Sequence, residues 1–197
     1  MKTIIKTGYE KILQIFYENK KAEFHLRAIA RKTKLNENST TRFLRQLEKQ
    51  SILKSKKDGN LKKYFIEKNS HTYLIFALFD VKRYNKLPIL RKNALRWFFA
   101  ELKEKPVIAV VFGSVAKENF TKESDLDLLL ISNKKIKTDE AENNAESQTA
   151  VRINCIQIIY KNFLEEIRTK NDSVIQSAIN TGYPITNHIL YYEEILK

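Results

Sequence analysis

Two aspartates, Asp125 and Asp127, stand two positions apart at the start of an apolar run. Side chains at positions i and i+2 of a β-strand point to the same face, so a strand here would bring both carboxylates together. Neighbouring carboxylates repel one another unless they share a proton or a cation. Because Mg²⁺ prefers oxygen ligands and also takes substrate phosphates, the spacing predicts that both aspartates bind a magnesium ion.

A glycine and a serine, Gly113 and Ser114, follow the continuous apolar run 107–112. Such a run is typical of a strand that is buried on both faces. Gly113 allows the backbone to turn sharply and leaves room for a phosphate group. Ser114 adds a hydroxyl at the start of a short predicted helix, whose free N–H groups help to hold a phosphate. The pair therefore predicts a phosphate-binding turn.

This order of motifs resembles the nucleotidyltransferase superfamily that includes DNA polymerase beta and kanamycin nucleotidyltransferase: a strand, Gly-Ser, a short helix, Ser-Asp-Leu-Asp and a second strand. The similarity is greatest to the minimal nucleotidyltransferases of archaea and bacteria, and it covers residues 106–197. It implies a mixed sheet with flanking helices. It also implies that Gly113 and Ser114 bind a nucleoside triphosphate, while Asp125 and Asp127 are catalytic and hold the Mg²⁺ that assists attack of an acceptor hydroxyl.

A third carboxylate, which in active members of that superfamily lies on a later strand and helps to activate the acceptor, is missing from this sequence. The strand predicted over residues 151–160 contains only the neutral Asn154 and Gln157 at polar positions that could replace it. Removing a general base typically costs about 10²–10⁴-fold in rate. Two functions stay open: Mg²⁺-dependent transfer of a nucleotide to a protein or small acceptor, or a degenerate domain that only binds nucleotide or a partner, including an antitoxin-like role.

The first part of the chain has a different pattern. Apolar spacing predicts helices over residues 4–17, 26–33 and 39–50. Two strand-like runs then flank Asp58-Gly59-Asn60, a strong hairpin signal because these residues accept a positive φ. This order resembles a winged helix-turn-helix, and the resemblance implies that the third helix enters the major groove of double-stranded DNA while the hairpin contacts the backbone.

Polar and basic residues of the third helix and the hairpin are the candidate DNA contacts. Short polar side chains at a helix start can meet phosphates or base edges, arginines can contact guanine, and lysines supply attraction without sequence preference. The predicted DNA-binding residues are Ser39, Thr40, Thr41, Arg42, Arg45, Lys49, Lys56, Lys57 and Lys62. The alternative is that the same fold mediates protein contacts.

Charge separates the two parts of the 197-residue chain. The formal net charge is +13, and it divides into +16 over residues 1–105 and −3 over residues 106–197. A basic part attracts a polyanion and an acidic part does not, which favours nucleic acid as the partner of the first part. The single cysteine excludes an intrachain disulfide and predicts a cytoplasmic protein, and no uncharged apolar run is long enough for a membrane span.

These patterns predict an α+β protein with three segments. A winged helix-turn-helix domain covers residues 1–68, a helical connector 69–105, and the nucleotidyltransferase-like domain 106–197. Pro88 interrupts the connector, because proline disfavours helix at the residue before it. The aromatic residues of the connector, Trp97 among them, are interpreted as core packing or as a homodimer face.

Overall fold

A computed structural model describes residues 7–197 and contains helices and two separate sheets, which confirms the α+β class. The chain divides into two compact units, one with the residues up to Phe79 and Leu196–Lys197, the other with Asp80–Ile195. The predicted connector is therefore shared between the units. Residues 4–6 of the first predicted helix lie outside the described part of the chain.

The first unit contains three helices and a three-stranded antiparallel sheet. Its elements are α1 (Thr7–Glu18), β1 (Phe24–His25), α2 (Leu26–Thr33), α3 (Glu37–Lys49), β2 (Leu53–Asp58), β3 (Leu61–Ile66) and the start of α4 (Ser70–Lys86). The strand order is β1-β3-β2. The apolar spacing seen in the sequence becomes the core, which includes Ile12, Phe16, Ile29, Leu44, Leu47 and Leu53.

The hairpin forms where the sequence predicts it. Asp58 pairs with Leu61, so Gly59 and Asn60 make a two-residue turn, and Gly59 has a φ of +60°. Side chains alternate along the strands: Leu53 and Tyr64 are buried, while Lys54 is exposed. The hairpin thus packs one face on the core and extends its tip into solvent.

Helix α3 begins at Glu37, two residues earlier than predicted. Asn36 is its N-cap, because its side-chain oxygen accepts the Ser39 backbone N–H at 2.7 Å. Thr40 lies four and seven positions before the buried Leu44 and Leu47, so it faces inward, where it is fully buried and donates its hydroxyl to the Asn36 carbonyl at 2.9 Å. The prediction that Thr40 lies on the exposed face of this helix is therefore wrong.

The second unit has a mixed four-stranded sheet. Its elements after α4 are α5 (Ile89–Glu101), β4 (Ile108–Phe112), α6 (Gly113–Ala116), β5 (Leu126–Ser132), α7 (Asp139–Thr149), β6 (Ile153–Ile159), α8 (Tyr160–Thr169), α9 (Ser173–Thr181), β7 (Tyr183–Pro184) and α10 (His188–Ile195). The strand order is β6-β5-β4-β7, with only β5 and β6 parallel.

Strands β4 and β5 lie at the centre of this sheet and are almost wholly buried. One core joins the sheet to α5 and α7 through Leu95, Phe98, Leu128 and Ala145. The polar stretch that contains α7 folds as a regular helix, since Ala141 and Ala145 recur on one face and pack inward. None of the helices described within residues 7–197 is long and apolar enough to cross a membrane.

Candidate functional site

Asp127 lies at a junction of three strands. It is the second residue of β5, opposite Phe112 at the end of β4 and opposite Asn154 in β6. Its neighbours Leu126 and Leu128 belong to the core with α5 and α7, so Asp127 points to the other face of the sheet. This position brings its carboxylate to the point where β4 turns into α6.

Gly113 is the residue that makes this turn possible. Its φ of +69° is a conformation that residues with a side chain rarely adopt. A Cβ atom at this position would overlap Oδ2 of Asp127 and stand 2.9 Å from its Cγ. The backbone at Gly113 and the Asp127 carboxylate are thus in direct contact, and Ser114 follows as a half-buried residue of α6.

Asn154 occupies the position next to Asp127 on the parallel strand. Its Nδ2 donates a hydrogen bond of 2.9 Å to Oδ1 of Asp127. This is where an acidic side chain would complete a set of three carboxylates. Among residues 7–197, no three His, Cys, Asp or Glu side chains lie close enough together to hold a metal ion.

Asp125 is positioned by a loop, since β5 begins only at Leu126. The expectation that both aspartates belong to the strand is therefore corrected: Asp127 is held by strand pairing and the exposed Asp125 is not. The loop before it makes a turn of its own, in which the Thr121 backbone N–H donates to Oγ of Ser124 at 2.9 Å.

A buried arginine from α5, Arg91, contacts this loop. It donates to the carbonyls of Ser124 at 2.8 Å and Thr121 at 2.9 Å, and its guanidinium lies 4.7 Å from the centre of the Phe120 ring. Burial lowers the pKa of Arg91, and the negative charge of Asp125 opposes that shift.

A second arginine, Arg83 of α4, contacts the segment that follows Gly113 and Ser114. It donates to the Ala116 carbonyl at 2.6 Å and to the Thr181 carbonyl at 3.0 Å, and it stacks 4.3 Å from the centre of the Tyr183 ring. Sequence reasoning missed both arginines. In the sequence, each of them is a basic residue among apolar ones in a predicted helix. The same pattern is typical of an arginine that is exposed to solvent.

The outer face of α3 is the candidate nucleic-acid surface of the first unit. At about 100° per residue, four residues fall opposite the buried Thr40, Leu44 and Leu47. They are the exposed Asn38, Arg42, Arg45 and Lys49. The face therefore carries three cations and no acid, flanked by the half-buried Ser39 and Thr41.

The hairpin lysines fall into two groups. The charges of the first group are partly compensated by ion pairs: Lys54 with Glu67 at 2.5 Å, Lys56 with Glu23 at 2.6 Å and Lys63 with Asp58 at 2.9 Å. Lys57 and Lys62 face each other across the hairpin near its tip. Within the described residues, neither of these two makes an ion pair.

The hairpin is tied to α3 on the side that carries Lys57 and Lys62. Ser55 donates to Glu48 at 2.6 Å. The pairs Ser55–Tyr64 and Lys57–Lys62 share one face of the hairpin because they are alternate cross-strand pairs, two positions apart on each strand. Burial and the charge of Glu48 raise the pKa of Tyr64, and Arg45 opposes them. Arg45 therefore lies near the same face.

The clearest similarity to known proteins lies within the second unit. The chain matches no curated protein. A solved structure of TrmBL2, described as an archaeal chromatin protein with a novel mode of DNA binding, is 16% identical over 82% of this chain and 75% of that one, with a TM-score of 0.25. A similarity this low carries no argument about function.

The family model "Polymerase beta, Nucleotidyltransferase" matches residues 98–188. The segment with Gly113, Ser114, Asp125 and Asp127 therefore matches the polymerase-beta nucleotidyltransferase family.

Proposed function

We propose that this chain is a DNA-binding regulator whose second unit binds a magnesium–nucleoside triphosphate complex and transfers the nucleotide poorly. The hydrogen bond from Asn154 to Asp127 is the observation that carries this proposal. It puts a neutral amide beside the aspartate where a proton acceptor would be needed. An amide can orient a carboxylate, but it cannot take a proton from an attacking hydroxyl.

The residues around Gly113 suit a bound nucleotide. The missing Cβ at Gly113 lets the Asp127 carboxylate lie against the backbone of this turn, and the Ser114 hydroxyl can donate to a phosphate oxygen. Mg²⁺ is often held in proteins by one or two carboxylates together with substrate phosphates, which fits Asp125 and Asp127. When bound, it would stabilise the negative charge of the phosphates. Asn154 keeps Asp127 oriented toward this point.

The test is to restore the missing acid with Asn154→Asp. We expect magnesium-dependent cleavage of ATP, GTP, CTP or UTP to nucleoside monophosphate and pyrophosphate, with water as the acceptor, to rise about 100-fold, because a general base typically contributes at least that much. Nucleotide affinity, measured by competition with a fluorescent triphosphate, is expected to change little. Asn162→Asp, which adds the same charge at an exposed position of α8, is the matched control and leaves the rate unchanged.

The second candidate is an efficient transferase acting on a protein or small acceptor, favoured by the intact contact between Gly113 and Asp127. It predicts that the wild-type protein already releases pyrophosphate fast, that Asp127→Asn abolishes this, and that Asn154→Asp adds nothing. That result would replace our proposal. A protein that binds no nucleotide in the presence of Mg²⁺ would contradict both candidates.

For the first unit we propose a winged helix-turn-helix that binds double-stranded DNA. The order α1-β1-α2-α3-β2-β3 and the exposed cations on α3 support it. Helix α3 would enter the major groove with Arg42 and Arg45 toward the bases, while Lys57 and Lys62 contact the phosphates. Thr40 has no part in this surface, because it is buried.

Gel-shift titration at low salt tests the DNA proposal. Each arginine that contacts a base contributes about 1–3 kcal/mol, so Arg42→Ala with Arg45→Ala should weaken binding at least 30-fold. Lys11→Ala, at an exposed position of α1, removes a charge outside the proposed surface and should have little effect. If the wild-type protein binds no DNA at low salt, the unit is a protein-contact module instead.

A further inference from the structure

The attachment of Asp125 is the weakest part of the proposed nucleotide site. Asp127 is held by its strand neighbours and by Asn154, whereas Asp125 is exposed and precedes the strand. Its backbone position follows from the loop of residues 120–124. Whatever holds that loop decides where the Asp125 carboxylate lies.

Arg91 contacts the loop of residues 120–124 directly. The residue is only 3% exposed, and its guanidinium donates to two loop carbonyls and packs on one aromatic ring of the loop. A buried charge without such partners is strongly unfavourable, so loop conformations that withdraw the carbonyls of Thr121 and Ser124 are disfavoured. The planar guanidinium donates to both at once, which also sets the distance between them.

Arg91 also interacts by charge with Asp125, the residue that follows the hydrogen-bonded Ser124. Asp125 opposes the effect of burial on the pKa of Arg91, so the two charges attract one another. The family match begins at residue 98, so this arginine lies outside the segment that the family model covers. The support for Asp125 is thus supplied by the part of α5 that precedes the matched segment.

We propose that Arg91 is a positioning residue, which holds the loop of residues 120–124 so that Asp125 can share a magnesium ion with Asp127. This proposal rests on the proposed nucleotide binding of the second unit. It assigns Arg91 no contact with the nucleotide itself. Its effect should therefore appear only in the part of nucleotide affinity that depends on Mg²⁺ and on Asp125.

The experiment measures the affinity of a fluorescent nucleoside triphosphate with Mg²⁺ and with EDTA. Residues behind a metal ligand typically contribute 10–100-fold to metal affinity, so Arg91→Met should reduce the magnesium-dependent gain at least tenfold and leave affinity in EDTA unchanged. Arg96→Met, on the exposed side of the same helix, is the control and should behave as wild type. Should Arg91→Met not fold, Arg91→Lys, which keeps the charge but not the two-pronged donor, is measured instead.

A double-mutant cycle with Asp125→Asn separates positioning from general damage. If Arg91 acts through Asp125, Arg91→Met causes no further loss in the Asp125→Asn background. Guanidinium ions, at concentrations that leave wild type unaffected, should also restore part of the gain in Arg91→Ala. An equal loss in both backgrounds, or an unchanged magnesium-dependent gain in Arg91→Met, overturns the proposal.

Hydrogen exchange distinguishes failure of this proposal from failure of the proposed function. The backbone amides of residues 120–125 should exchange at least tenfold faster in Arg91→Met than in wild type, with or without nucleotide. If wild type binds no magnesium–nucleotide, the proposed function fails, and faster exchange still supports the holding of the loop by Arg91. Unchanged exchange overturns the inference about Arg91, whatever the nucleotide result.

Discussion

Two pairs of arginines lie in different environments. One pair is Arg42 and Arg45 on α3, and the other is Arg83 on α4 and Arg91 on α5. The first two are exposed on a helix face without acids. The other two donate to backbone carbonyls near the candidate nucleotide site: Arg83 to the end of α6, and Arg91 to the loop before Asp125. The two pairs contribute equally to the net charge but differ in role. The first pair is available to a polyanion, and the second pair supports the fold of a site.

The same contrast separates the two sites as a whole. The proposed DNA surface is a set of side chains on a regular helix, which tolerates substitution because each one projects into solvent. The candidate nucleotide site depends on a close approach between Gly113 and Asp127 and on buried supports. Substitutions should therefore reduce function step by step in the first unit and abruptly in the second.

Two glycines with positive φ give the sharpest form of this comparison. Gly113→Ala must place a methyl group on the Asp127 carboxylate, whereas a Cβ at Gly59 has nothing within 4 Å. We expect Gly113→Ala to weaken nucleotide binding about 100-fold or more, since a left-handed alanine alone costs about 1–2 kcal/mol and Asp127 must also move.

Gly59→Ala, with a similar φ of +60° in open space, serves as the control for backbone strain. It should cost about 1–2 kcal/mol of stability at most and leave nucleotide binding as in wild type. Both affinities come from fluorescent-nucleotide titration. Equal effects of the two substitutions would mean that the contact with Asp127 does not matter.

Arginine substitutions compare the buried and exposed settings directly. Arg91→Met removes hydrogen bonds from a charged donor to two carbonyls, each worth about 1.5–3 kcal/mol, and should lower the free energy of unfolding by about 2–4 kcal/mol after partial relaxation. Arg42→Met should change it by less than about 0.5 kcal/mol. Urea denaturation measures both, and similar values for the two variants would contradict the distinction.

Lysine substitutions refine the comparison within the hairpin. Each phosphate contact contributes about one to the slope of log affinity against log salt, so Lys57→Gln with Lys62→Gln should reduce that slope by about 2. Lys56→Gln should reduce it less, because Lys56 already pairs with Glu23. DNA titrations at several salt concentrations give the slopes. A larger effect of Lys56 would show that its ion pair opens on DNA.

The smallest expected effect is the pH response of the hairpin tip. A hydrogen bond from Lys63 lowers the pKa of Asp58 below its ordinary value of 3.8, and the charges of Lys63, His25 and Lys56 add to this. A lowered pKa means that the contact stabilises the hairpin above the unfolded value and is lost as the pH falls through the folded value. NMR titration of the Asp58 carboxyl checks the direction, and Lys63→Met should return its pKa toward 3.8.

Much of this organisation follows from local pattern. Apolar spacing of 3.6 or 2 residues and the turn residues Pro88 and Asp58-Gly59-Asn60 place the helices and strands close to where they occur. The Gly-Ser and Asp-Leu-Asp motifs locate the site because their members are neighbours in sequence. The predicted start of α3 was two residues late, because the Asn36 side chain accepts the Ser39 N–H and caps the helix earlier. Thr40 was misplaced for another reason: it shares the face of Leu44 and Leu47, where it is buried.

The amino-acid sequence by itself determined the order of elements, the separation of basic and acidic parts, and the residues that carry the two candidate sites. Only the tertiary structure decided that Asn154 stands beside Asp127, that Arg83 and Arg91 donate to backbone carbonyls near the candidate site, and that Glu23 and Asp58 compensate two of the hairpin lysines. The physical reason is sequence separation. These contacts join residues that are far apart in sequence and that no local periodicity relates. The sequence pattern therefore does not distinguish a buried arginine from a solvent-exposed one.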